Sequence, residues 1–219
     1  MALPGRAEHG RQQVRRVLAD LVGMLGLDVA PEPPDPGDQR RWEQQVRAAV
    51  RKAGLEGIVL PDASLDLLVD AAVHEPDPSF NRWFVEPALN AFGYRRVRAV
   101  LLDRLRTGTD AQRAGAARAW YWSALPLRLP QVTAQTPHAE GGAEPDDRYA
   151  LARDWDEAAL REFVDNEHLD VRRCILPLLR LRPSAYPPEL HGLMEAAVEI
   201  ARAHEDEYIR HRVEIQVGD

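Results

Sequence analysis

Asp77-Pro78-Ser79-Phe80-Asn81-Arg82-Trp83-Phe84-Val85-Glu86-Pro87-Ala88-Leu89 is the stretch that decides the fold. An acidic residue followed by proline opens a helix: the carboxylate accepts from free N–H groups, and proline loses nothing at the first helical position. The helix is expected to run to Phe92, where Gly93 can stop it in the left-handed conformation. The same opening, an acidic residue with an arginine a few places on, recurs at Asp110 with Arg113, at Asp170 with Arg172 and at Asp206 with Arg210. The arginines are separated by 31, 59 and 38 residues, the middle interval being about two periods. Such self-similarity marks architectures in which each unit buries its apolar face on its neighbours. Pro87 and Pro177 each follow the pattern arginine by five residues, which predicts a shared bend that helps the helices wrap.

Working outward, the chain reads as about nine or ten helices with no run of period-2 alternation. Val14, Val17, Leu18, Leu21, Val22 and Leu25 line one face of a helix over 7–25, and Gly26 follows it. A more polar helix is expected over 38–53. Asp62 or Ser64 is placed to cap a helix ending near His74. After Gly93 a helix from Tyr94 to Arg106 precedes one that Thr109 or Asp110 caps and that ends near Ala124. Residues 125–149, rich in proline and glycine, read as a mobile loop open to proteolysis near Arg148. Helices resume over 155–164, 168–181, 189–203 and 205–217. The expected organisation is an N-terminal helical cap (1–56), helix pairs (57–124), the loop (125–149) and acidic helix pairs (150–219).

The helix pairs that carry Asp77, Arg82, Asp110, Arg113, Asp170, Arg172, Asp206 and Arg210 resemble HEAT-like repeats, over 62–124 and 154–217. The resemblance implies an all-α fold, a right-handed α–α superhelix of HEAT-like helix pairs. It also implies that the aspartates start helices while the arginines reach a carboxylate or carbonyl of a neighbouring unit.

Composition narrows the class. The chain has 219 residues, 45% apolar and 29% charged, as an ordinary soluble protein does, and no apolar run long enough to span a membrane. Its beginning lacks the apolar core of a secretory leader, and Cys174 is its single cysteine, so an intracellular, cytoplasmic protein without disulfides is expected. Lys52 is the only lysine among 28 basic residues, an arginine bias expected of a high-GC bacterial genome. The formal charge is −7, of which residues 150–219 carry −6. An acidic chain repels phosphate backbones, so nucleic acid is not the expected partner.

No phosphate-binding glycine loop, paired Cys/His motif or nucleophile elbow is present, and no catalytic residue, cofactor or metal is expected. His204, Glu207 and His211 have ligand-like spacing but read as a solvated face, and Cys174 reads as a buried apolar thiol. The residues expected to meet a partner are Trp83, Arg95, Arg98, Trp120, Tyr121 and Trp122, since Trp, Tyr and Arg dominate interface hot spots. Arg95, Arg98 and Arg106 are expected on one solvent-facing side of their helix. The expected function is a non-catalytic protein- or peptide-binding scaffold or adaptor with a concave helical surface. Two alternatives use the same scaffold: a HEAT-like DNA glycosylase acting on alkylated bases, which the resemblance suggests, and an immunity or inhibitor protein for a basic partner.

Overall fold

The computed structural model describes residues 4–32, 35–56, 59–125 and 148–218. These residues form α-helices and short 3₁₀ turns, without a strand among them. The helices are α1 (Pro4–Leu25), α2 (Gln39–Leu55), α3 (Ser64–His74), α4 (Pro78–Thr107), α5 (Asp110–Ala124), α6 (Ala152–Asp165), α7 (Leu169–Ile175), α8 (His191–Ala203) and α9 (Glu207–Gly218). None is long and apolar enough to cross a membrane. The loop expected to be mobile lies almost wholly outside the described residues.

The chain divides into two compact units. The first comprises Met1–Val100 with Trp122–Ala150, the second Leu101–Tyr121 with Leu151–Asp219.

In the first unit α1 packs on α3 and α2. The periodic residues Val14, Val17, Leu18, Leu21 and Val22 are all buried. Gly26, at φ 58°, ends α1 as expected. Neither Asp62 nor Ser64 caps α3: Ser64 Oγ donates to the Pro61 carbonyl, and Asp62 pairs with Arg96 at 3.1 Å. Asp77 does cap α4, its Oδ1 accepting from the Ser79 N–H at 2.9 Å. Within α4, Gly93 stands at φ 79° and ψ 166° and breaks the helix where the sequence placed its stop. Only glycine occupies that region cheaply. Gly93→Ala is therefore expected to cost about 1–3 kcal/mol, and a urea midpoint unchanged from the parent would refute the assignment.

Pro87 and Pro177 do not share a role. Pro87 lies inside α4, and its ring rests on Gly54 of α2, where a Cβ would come within 2.9 Å. Pro177 lies in a 3₁₀ turn over Leu176–Leu178, so α7 ends at Ile175 rather than near residue 181.

Arg98 is 3% exposed. Its guanidinium donates to the Ser123 Oγ at 3.2 Å and carbonyl at 3.0 Å, and to the carbonyls of Arg148 and Ala150. One buried side chain thus holds both margins of the undescribed stretch 126–147.

In the second unit α6 packs on α7 and α8, and α9 packs on α7 and α8. Three-residue connections make α6–α7 and α8–α9 helix hairpins. Trp120 and Trp155 stack at the core with centroids 4.1 Å apart and planes 7° apart.

Candidate functional site

The recurring arginines come first, because their role sets what remains for a partner. A helix leaves its last carbonyls without partners. In four helix pairs among the described residues a polar side chain in the first turn of the second helix fills that gap. Asn81 Nδ2 donates to the Ala72 carbonyl, Arg113 Nε to Leu105, Arg172 Nε to Phe163 and Arg210 NH1 to His204. Arg82, like the other pattern arginines, is expected to reach a neighbouring unit rather than to close its own hairpin. Asn81 closes this hairpin, and Arg82 pairs with Glu86 one turn along its own helix.

Other side chains link one hairpin to the next. Arg113 reaches Glu162 at 3.3 Å, and Asn166 Nδ2 donates to Asp110 at 2.8 Å. In the later hairpin Arg173 binds Asp206, whereas the pattern residue Arg172 stays within its own pair. Thr109, not Asp110, caps α5: Thr109 and Gln112 form a reciprocal capping box. Asp206 caps α9 through the Ile209 N–H. Asp170 is an exposed first-turn residue of α7.

Hydrogen bonds hold three of these carboxyls below the ordinary aspartate range: Ser79 on Asp77, Asn166 on Asp110 and Arg173 on Asp206. A depressed carboxyl contributes stability above its unfolded value and loses it as pH falls through its folded value. The stability gap between the parent and Asp206→Asn should be widest near pH 7 and close as the pH falls below about 4. Denaturant titrations at several pH values measure it, and a gap that widens in acid would contradict the sign.

The residues expected to meet a partner separate. Trp120, 6% exposed, belongs to the core of the second unit with Trp155, and Arg98 is the buried clasp; both are withdrawn from any surface. Tyr121, 47% exposed, lies in the second unit. Arg95 is exposed, and Trp83 and Trp122 are half-buried, all three in the first unit.

Around Trp83 and Trp122 the first unit builds a surface of alternating rings and guanidiniums. Phe80 and Trp83 meet edge to face at 5.2 Å. Arg51 lies over Trp83 at 5.2 Å and Arg82 over Trp122 at 5.4 Å, while the buried Arg47 backs the Phe80 ring at 5.1 Å. The Trp122 indole N–H donates to the Pro78 carbonyl at 2.9 Å, fixing its ring beside the start of α4. Beneath this surface runs a charge network that the sequence reading missed. Arg47 donates to Glu75 at 2.7 Å and approaches Glu43, which also pairs with Arg15 at 3.0 Å. Burial pushes the Glu75 carboxyl above its ordinary value, while Arg47 acts against that rise. The network locks α1, α2 and the end of α3 around the base of the aromatic surface.

The metal-like set does not come together on one helix: His204 follows the last turn of α8, and α9 begins at Glu207. Among the described residues no group of three His, Cys, Asp or Glu side chains is placed to hold a metal ion. Cys174 is half-buried, its sulfur 3.4 Å from Arg118. Comparison with protein families, with curated proteins and with solved structures finds no match.

Proposed function

We propose that this protein is a non-catalytic protein- or peptide-binding scaffold, its helix hairpins laid out as a right-handed superhelix of HEAT-like pairs. The contact surface is the start of α4 with its flanking α2, and Trp83 and Trp122 are its anchors. The observation that carries this reading is the pair of half-buried indoles, each covered by a guanidinium. Rings held this way present large apolar area at little further entropy cost, and arginine and tryptophan are the side chains that most often dominate binding energy.

The experiment is affinity capture from the native host with the parent, Trp83→Ala and Trp122→Ala, each variant first shown to be folded by circular dichroism. A hot-spot truncation should weaken capture of the specific partner by about 30-fold, equivalent to roughly 2 kcal/mol. Equal recovery by all three proteins would overturn the reading.

A further inference from the structure

Helix α2 reverses the charge of the chain. The protein carries −7 overall, yet α2 has Arg40, Arg41, Arg47, Arg51 and Lys52 against one carboxylate, Glu43. Lys52 meets Glu56, and Arg47 is held by Glu43 and Glu75. Arg40, Arg41 and Arg51 form no ion pair among the described residues. Arg40 and Arg41 are exposed, and Arg51 is half-buried.

Helical spacing orders these groups. Arg40, Gln44, Arg47 and Arg51 follow at four, three and four residues, so they share one line along the helix, about 16 Å long. Trp42, Val46 and Val50 take the buried side, and Arg47, itself buried against Glu43 and Glu75, leaves Arg40 and Arg51 as the ends of the line that meet solvent. The Arg51 end of the line runs onto the Phe80–Trp83 ring pair. Stacking uses the flat face of a guanidinium and leaves its N–H edge free to donate to a carboxylate in a two-point contact.

We infer that the occupant of this surface is an acidic peptide segment, its carboxylates on Arg40 and Arg51 and an apolar side chain against Phe80 and Trp83. This rests on the protein-binding reading above and names the chemistry of the partner. A nucleic acid strand would also meet arginines and rings, but the net charge of −7 opposes a polyphosphate far more than a short peptide.

The test is selection from a displayed library of random peptides of about 12 residues, long enough to run the line of arginines. Recovered peptides are then titrated by fluorescence anisotropy against the full chain and its variants. The expected result is enrichment of net-negative sequences carrying an aromatic or leucine. Their affinity should fall about tenfold or more in Arg40→Glu and Arg51→Glu and again in Trp83→Ala, with a marked salt dependence. Arg40→Glu alters an exposed side chain, so it keeps the test valid if Trp83→Ala proves unstable. Peptides that depend on Trp83 but are neutral, or are indifferent to both charge reversals, would overturn the inference and leave the surface standing. Peptides indifferent to Trp83→Ala, or no enrichment at all, would remove the surface itself. Arginine-dependent binding of a single- or double-stranded oligonucleotide in the same assay, tighter than that of any peptide, would replace the acidic peptide with nucleic acid.

Discussion

Arg47→Met should destabilise the protein by about 3–5 kcal/mol, because it strands a buried carboxylate. Glu75 is fully buried, and apart from Arg47 its carboxylate accepts the Asp77 N–H at 3.1 Å. The opposite truncation, Glu75→Gln, should cost less, since Arg47 keeps Glu43 at 3.4 Å and the Phe80 ring face. Replacing both, Arg47→Met with Glu75→Leu, should recover much of the loss, because well-packed apolar side chains often match a buried pair in stability. Urea titrations of these variants together with Glu75→Leu test this, and costs that add in the double variant would show that the pair is not an energetic unit. The acid response provides an independent check. A buried carboxyl whose folded value is raised contributes stability at low pH and loses it as pH rises. Without Arg47 the Glu75 value should rise further. The variant should therefore recover stability relative to the parent as the pH falls from 7 towards about 4.

Trp155→Ala should cost about 3–5 kcal/mol, the range for emptying a buried tryptophan site. Trp155 is 1% exposed and its ring stacks on Trp120. Trp120→Ala should cost a similar amount. A double-mutant cycle should return a coupling of about 0.5–1.5 kcal/mol beyond burial. A loss below about 1 kcal/mol for either truncation would mean that the site collapses or that the stack is not core.

These two residues also show what a sequence can and cannot disclose. Trp120, Tyr121 and Trp122 step around α5 by about 100° each, so at least one ring had to leave the core. Periodicity could not say which, because the choice depends on Trp155, a residue from a helix 35 positions away. Asp77-Pro78 and Gly93 were legible because their signals are local: a free N–H group and a backbone angle. Arg47 and Arg98 were not, for a charged side chain is buried only where distant acceptors meet it. Those of Arg98 lie at Ser123, Arg148 and Ala150, and those of Arg47 include Glu75. The pattern arginines were half legible. Their recurrence is written in the chain, but whether each closes its own hairpin or reaches the next depends on neighbours such as Asn81 and Arg173. The line of arginines on α2 was present at helical spacing all along. It gained meaning only when the fold set Phe80 and Trp83 beside it.

The Arg98 clasp makes the protein a natural host for grafting. Both chain margins are bound to one guanidinium, so they stand within about two hydrogen-bond lengths of each other, roughly 6 Å. A gap of that size needs only a few residues to cross. Each doubling of the length inserted there adds only about 0.6 kcal/mol of closure entropy. A foreign domain whose own termini are adjacent would match the spacing at which Arg98 holds Ser123 and Arg148.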